Sequence, residues 1–248
     1  MIESIGFIVN TISLINIVVI FLIYTSKKRI KLLENRMYFI MILSSIIGLI
    51  INGISFAIDY YYEDFLLLRV SLIKVFYFYI IFWSIIFAEY IYFSSQGIKK
   101  MNKKNHIFLI SSFIILFFIN AVLPLDVSNG ISGLNLIFLY IFIIFMSFMY
   151  IFMIISSKKK GGSIKKYIPV LIFLVLYYCI SVIQILYPNV LLEPFCISLV
   201  LNIMYFTIEN PDIKMIDELN KNRKLIEKAN EDKSNFLFRM AQEVRQPV

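Results

Sequence analysis

The chain has 248 residues, of which 60% are hydrophobic, 17% aromatic and only 16% charged, whereas a soluble domain carries about 25% charged residues. A mean hydropathy of +0.83 exceeds what the core of a soluble domain of this length can bury. The composition therefore excludes an ordinary water-soluble domain. The formal net charge of +8 does not indicate a nucleic-acid partner, because the basic residues lie in short strips between long apolar runs.

Seven apolar runs are each close to the length of about 20 residues that a helix needs to cross a bilayer. In chain order they cover residues 5–24, 37–58, 70–93, 106–123, 134–155, 167–187 and 190–208. None shows the alternating pattern of a membrane β-strand. In the second run, Ser44 and Gly48 have the spacing of small residues that lets membrane helices approach closely. The sequence predicts an all-α polytopic membrane protein, with a seven-helix transmembrane bundle over residues 1–208.

The charges between the runs predict the orientation of the chain. All but two of the 24 Lys and Arg residues lie in segments 27–36, 96–105 and 158–166 or in the tail after residue 209. The alternate segments carry acidic residues instead, namely Asp59, Glu63, Asp64, Asp126 and Glu193. Basic segments stay in the cytoplasm, so we expect a multi-pass protein of the cell (inner) membrane with its N-terminus outside and its tail inside. The first run lacks the features of a cleaved signal peptide, and we expect it to be a retained span.

Few polar groups in or beside the runs are candidates for sensing a ligand. Lys74 and Glu89 share the third run and lie about 22 Å apart along a helix, so they cannot pair with each other. Ionisable groups in a span often mark function, but near its ends they also reach towards the membrane interface. The outer loop 59–64 is both aromatic and acidic, which fits an interfacial tyrosine belt or the mouth of a binding site. The candidates are Asp59, Tyr61, Tyr62, Glu63, Lys74 and Glu89.

Several function classes lack the residues that they need. The last run contains no lysine for a retinal Schiff base, and His106 is the one histidine in the chain, which leaves no histidine-rich metal site. No P-loop is present, and the prolines lie mostly at the edges of the runs without an internal repeat, which does not favour a transporter. We expect no metal, no cofactor in this chain and no nucleic-acid partner.

The chain becomes hydrophilic after residue 208. Asn210, Pro211 and Asp212 read as an N-cap, a proline at the first helical position and an acid at the positive end of the helix dipole. They predict a new cytoplasmic signal-transmitting helix, which we assign to residues 209–232. Its seam residues repeat at alternating intervals of three and four residues, as in a coiled coil, but polar residues interrupt them. This pattern indicates a marginal dimer seam whose register the bundle can shift. The alternative is a solvated helix without a partner. The apolar seam residues are Ile216, Leu219, Ile226, Leu237 and Met240.

Residues 233–248 read KSNFLFRMAQEVRQPV. This segment closely resembles the phosphoacceptor box of sensor histidine kinases of two-component systems, K-S-x-F-L followed by M-S-H-E-[IL]-R-T-P-L, on the first helix of a dimeric hairpin. The identical positions are Lys233, Ser234, Phe236, Leu237, Met240, Glu243, Arg245 and Pro247. Seven spans followed by such a box also resemble the subgroup of these kinases with a seven-helix sensor region. The resemblance implies that residues 233–248 begin a dimerisation and phosphoacceptor helix.

Two positions of the box depart from the family in ways that affect its chemistry. Gln242 stands where the family has its phosphorylated histidine, and Gln246 where it has a threonine associated with phosphatase activity. The lone pair of an amide nitrogen is delocalised, so Gln242 cannot attack the γ-phosphate of ATP, and Glu243 has no histidine to assist. Pro247 still disrupts helical hydrogen bonding. The sequence ends at Val248, before the family's ATP-binding domain, so we expect this chain alone to be catalytically silent, with ATP and Mg²⁺ relevant only if a kinase domain follows.

These observations favour the membrane sensor and signal-transmission part of a two-component histidine kinase. The expected partners are membrane lipid, a second copy of the chain through the tail, and an intact histidine kinase or a response regulator. Two alternatives remain open at this point. One is a regulatory decoy that dimerises with an intact kinase, and the other is a seven-helix transporter or channel whose tail merely resembles the box.

Overall fold

The structure, a computed structural model, describes residues 2–27, 33–61, 66–96, 103–126, 132–159, 167–186 and 192–245. Within these ranges the chain is helical, apart from short connections and one isolated bridge between Asp126 and Ser132. The predicted all-α class is therefore confirmed for the described residues. The helices are α1 (Ile2–Ser26), α2 (Leu33–Tyr61), α3 (Leu66–Gln96), α4 (Lys103–Val122), α5 (Leu134–Lys159), α6 (Ile168–Leu186), α7 (Glu193–Met204), a π-helical turn (Tyr205–Glu209) and α8 (Pro211–Arg245).

Each of the seven apolar runs coincides with a helix, but the helices differ in length. Four of them, α1, α2, α3 and α5, hold apolar stretches of 22 to 28 residues, long and apolar enough to cross a membrane. The apolar stretches found in α4 and α6 are shorter, Ile110–Val122 and Ile168–Ile183. Helix α7 has 12 residues, because it begins at Glu193 and changes to the π-helical turn after Met204. Within the described residues, four helices are therefore candidate membrane spans, and the seven-span bundle that the sequence predicts is not confirmed.

Helix α3 packs against α2, α4 and α5, and α7 packs against α1, α2 and α6. The core includes an aromatic cluster in which the ring of Phe87 on α3 lies 5.0 Å from Trp83, 5.5 Å from Tyr150 on α5 and 5.4 Å from Phe173 on α6. The Tyr150 hydroxyl also donates to the Ser84 carbonyl at 2.8 Å. Because aromatic pairs and a buried hydrogen bond both act here, α3, α5 and α6 are held together at this cluster.

Helices α2 and α3 approach closely at one glycine. A Cβ atom at Gly48 would lie 2.5 Å from the ring of Tyr79, so no larger residue fits without displacing that ring. The prediction that Gly48 permits a close helix approach is confirmed. Ser44, the other small residue of the pair, donates its hydroxyl to the Met41 carbonyl within α2.

The outer surface of the bundle is strongly apolar. Ile12 and Ile15 on α1 are 58% and 59% exposed, and Phe148 and Phe152 on α5 are 69% and 68% exposed. A soluble protein rarely exposes continuous apolar faces of this kind. They fit contact with lipid acyl chains, which is the environment that the four long apolar helices indicate.

Candidate functional site

Lys74 joins three helices at one end of the bundle. Its ammonium group donates to the Ala121 carbonyl at 2.8 Å, near the C-terminal end of α4, where a cation is favoured by the free carbonyls and the helix dipole. The Asn120 amide donates to the Lys74 carbonyl at 2.9 Å, and the Asn135 amide on α5 donates to the Asn120 carbonyl at 2.7 Å. Lys74 therefore has a structural partner in the protein and does not only extend towards the membrane interface.

Among the described residues, no contact joins Lys74 to another of the ligand-sensing candidates. Glu89 is half-buried on α3. Asp59 and Tyr61 lie at the end of α2, where their side chains are outside the described set, and Tyr62 and Glu63 lie outside the described residues altogether. The outer aromatic loop therefore stays a prediction.

A buried carboxylate lies at the opposite end of α3. Glu209, the last residue of the π-helical turn, is 1% exposed, and its Oε1 accepts a hydrogen bond of 2.5 Å from the hydroxyl of Tyr90 on α3. Burial of a charge is costly unless hydrogen bonds compensate it. In the sequence, residue 209 begins the hydrophilic tail, and the local pattern gives no sign that this carboxylate belongs to the bundle.

Tyrosines surround the same end of the bundle. The ring of Tyr24 lies 5.0 Å from that of Tyr38 and 6.5 Å from that of Tyr205. The Tyr24 hydroxyl donates to the Asn35 carbonyl at 3.0 Å, and the Tyr38 hydroxyl donates to the Leu201 carbonyl at 2.8 Å. Helices α1, α2 and α7 are therefore fastened to one another beside the π-helical turn.

Further polar contacts lie inside the apolar helices. The Asn10 amide donates to the Leu49 carbonyl and the Asn52 amide donates to the Asn10 oxygen, both at 3.0 Å. The Asn16 amide donates to the Ser198 hydroxyl at 2.7 Å. Hydrogen-bonding side chains of this kind connect membrane helices. Isolated Asn residues in apolar runs are the sequence signal for such contacts.

The chain leaves helical geometry at Asn210, between the π-helical turn and α8. Asn210 has φ −58° and ψ 115°, and Pro211 begins α8, so the predicted new helix starts where expected. The residue before a proline is biased away from helical angles, which accounts for the break. In the preceding turn, the Thr207 hydroxyl donates to the Ile203 carbonyl at 2.6 Å.

Helix α8 spans 35 residues, and every side chain from 219 to 241 is exposed. The predicted seam residues are among them or just before them, at exposed fractions of 57% for Ile216, 62% for Leu219, 61% for Ile226, 57% for Leu237 and 46% for Met240. The helix therefore presents apolar side chains that the single chain does not cover.

The phosphoacceptor-like box falls at the end of α8. Gln242 and Glu243 lie within the helix, although their side chains are outside the described set, and Gln246 and Pro247 lie outside the described residues. Within the described parts of the chain, no group of three or more His, Cys, Asp and Glu residues could hold a metal ion.

Glu193 is a second acidic residue that the structure relocates. The charge pattern placed it among the acids of the outer segments, but it is the first residue of α7 and is 7% exposed. Its carboxylate is therefore part of the packed bundle and does not act as a freely solvated loop charge.

Neither protein-family models, nor curated proteins, nor solved structures give a significant match to this chain.

Proposed function

We propose that this chain is the membrane sensor and signal-transmitting part of a two-component histidine kinase, with seven spans, its N-terminus outside and its tail in the bacterial cytoplasm. The observation that carries the proposal is the contrast at Asn210, where a packed apolar bundle gives way to a helix whose described side chains are exposed. That helix carries the residues that resemble the phosphoacceptor box. An exposed helix with an apolar seam is suited to pass a change in the bundle to a partner.

A second copy of the chain is the partner that the seam of α8 fits best. The seam residues repeat at the spacing of a two-stranded coiled coil, and polar residues among them keep the contact weak enough to change register. Gln242 cannot carry a phosphoryl group as histidine does, so the chain transmits a signal without being phosphorylated at that position. Lipid surrounds the bundle, and an intact kinase or a response regulator is the downstream partner.

Cysteine crosslinking of the full chain in membranes tests the dimer. We expect Leu237→Cys on the seam to form crosslinked dimers at least about fivefold more readily than Asn235→Cys, because two residues separate these positions by about 200° around a helix. Equal crosslinking of both variants, or none, would contradict the paired tail.

A chimaera tests signal transmission. Residues 1–241 are joined in register to the box and kinase core of an intact sensor kinase, and autophosphorylation is measured in vesicles. We expect the phosphorylation to change when one residue is inserted after Asn210, since this rotates α8 by about 100°. Phosphorylation that is indifferent to this insertion would refute transmission. Substrate flux through the vesicles that is lost in Lys74→Ala and Glu89→Ala would favour the transporter instead.

A further inference from the structure

Helix α3 makes a polar contact near each of its ends. Near one end Lys74 bonds to Ala121 of α4, and near the other Tyr90 bonds to Glu209 at the base of α7. The two residues are separated by about 24 Å along a helix with 1.5 Å rise per residue. Between them α3 contacts α2 at Tyr79, α4 at Phe82 and α5 at Phe87. We therefore expect α3 to move as one body.

Glu209 is the last residue of the bundle before the chain changes direction. The next residue, Asn210, is not helical, and α8 begins at Pro211. Only Asn210 separates Glu209 from α8, and the side chains of α8 from residue 219 to 241 are exposed and do not pack on the bundle. The position of Glu209 therefore sets where α8 starts and how it is oriented.

The turn that holds Glu209 is itself an unusual helical geometry. A π-helical turn closes its hydrogen bonds over one more residue than an α-helical turn. Such turns are rare in proteins, and many of those that occur lie at functional sites. Conversion of the segment Tyr205–Glu209 to α-helix would rotate the following chain by about 100°, the angle of one residue. The Thr207 hydroxyl bonded to the Ile203 carbonyl is a contact of the type that bends helices.

We propose that the Tyr90–Glu209 hydrogen bond is a latch through which α3 sets the orientation of α8. While the latch is closed, the carboxylate is held against α3 and the turn keeps its π-helical form. When α3 shifts, the Tyr90 hydroxyl leaves Glu209, the turn reverts to α-helix, and α8 changes its phase at Asn210. Transmission therefore enters α8 from α3 and not only along α7, the helix that directly precedes the turn.

Hydrogen exchange on the full chain in lipid nanodiscs tests the latch. Tyr90→Phe removes one hydroxyl and keeps the ring, so we expect backbone amides of residues 205–220 to exchange about tenfold faster or more, as for loss of a hydrogen bond to a charged group. Tyr178→Phe is the matched control, since Tyr178 is 49% exposed on α6, and we expect no change at residues 205–220.

A double-mutant cycle with Glu209→Met tests whether the two residues act through each other, because Met removes the oxygen that accepts the Tyr90 hydroxyl. Residues in direct contact give non-additive effects, so we expect Tyr90→Phe to accelerate exchange much less when Glu209→Met is already present. Additive effects, or unchanged exchange in a folded Tyr90→Phe variant, would refute the latch. If Tyr90→Phe loses its helical circular dichroism, Glu209→Met alone decides, and unchanged exchange at residues 205–220 then refutes the latch.

The orienting role of the latch rests on the proposed function, but its existence does not. Exchange is measured on the chain itself and needs neither a dimer nor a kinase core. Accelerated exchange together with a chimaera that is indifferent to the insertion after Asn210 would leave the latch standing and refute signal transmission. Unchanged exchange together with a chimaera that responds to the insertion would refute the latch and leave signal transmission standing.

Discussion

The bundle and α8 differ in how far they bury their apolar side chains. In the bundle, Trp83, Phe87 and Tyr150 are at most 1% exposed, because several helices contribute to one core. In α8, Leu219 and Leu237 are more than half exposed. The described core of the bundle is thus covered within one chain, whereas the described side chains of α8 are not covered by that chain.

The polar contacts show the same difference. In the bundle, the hydroxyl of Tyr38 and the amide of Asn10 reach carbonyls of neighbouring helices. On α8, Arg223 forms an exposed ion pair with Glu227 at 2.8 Å, one turn along the same helix, which contributes only about 0.3–0.5 kcal/mol. Side chains thus connect helices in the bundle, but in α8 this pair supports only its own helix.

The largest effect that would break the bundle is expected at Gly48. Gly48→Ala places a methyl group against the Tyr79 ring, and we expect overpacking to lower the free energy of unfolding by about 1–3 kcal/mol. Thermal unfolding in detergent, followed by circular dichroism, measures it. Gly53→Ala is the control, because the nearest atom to its Cβ would be the Asn10 amide nitrogen at 3.3 Å. Equal stability of the two variants would show that α2 and α3 are not in close contact there.

A smaller effect is expected at the buried asparagine pair. Asn10→Ala removes the bonds to Leu49 and Asn52, and hydrogen bonds between membrane helices contribute about 0.6 kcal/mol on average and up to about 1.7. The same unfolding assay should show a loss in this range. Thr11→Ala is the neighbouring control, since the Thr11 hydroxyl bonds only within α1. A loss as large as that of Asn10→Ala in the control would mean that helix formation, not the contact between helices, is being measured.

Lys74 should stabilise the bundle by less. Lys74→Met keeps the apolar stem and removes the charge at the end of α4, so we expect a loss of about 0.3–1 kcal/mol, the usual value for a cation at a helix C-terminus. Lys74→Arg retains the charge and should lose less. If α3 moves as one body, hydrogen exchange at residues 205–220 also rises in Lys74→Met, and a purely local effect would contradict that coupling.

The smallest effect on the bundle is expected from α8. Leu237→Ala should change the free energy of unfolding of the bundle by less than about 0.5 kcal/mol, as substitutions at other surface positions do. It should nevertheless reduce crosslinking of a Leu219→Cys seam reporter. Unfolding that shifts as strongly as in Gly48→Ala would show that α8 packs on the bundle and that the contrast between the two regions is wrong.

Local features of the chain were predictable where one segment decides them. Long apolar runs must satisfy their backbone hydrogen bonds internally in lipid and therefore form helices, and each of the seven runs contains a helix among its described residues. The start of α8 at Pro211 follows from proline's fixed φ and missing N–H. The close approach at Gly48 follows from the small size of its side chain.

The candidate site could not be predicted in the same way, because each of its contacts joins residues that are distant in the chain. Glu209 and Tyr90 are 119 positions apart, and nothing near residue 209 in the sequence shows that a tyrosine of α3 will compensate its burial. Charge patterning alone therefore treated Glu193 and Glu209 as solvated groups, although both are buried.

Composition and local backbone chemistry are enough to establish that the described parts of the chain are helical, that most of the chain is too apolar for water, and that a polar helix follows residue 210. Three features emerge only from the packed fold: α3 lies against three other helices, α7 continues into a π-helical turn, and the carboxylate at the end of that turn is buried. These features depend on tertiary packing because burial and hydrogen bonding are properties of pairs of segments, and the pairs form when helices from different parts of the chain pack together.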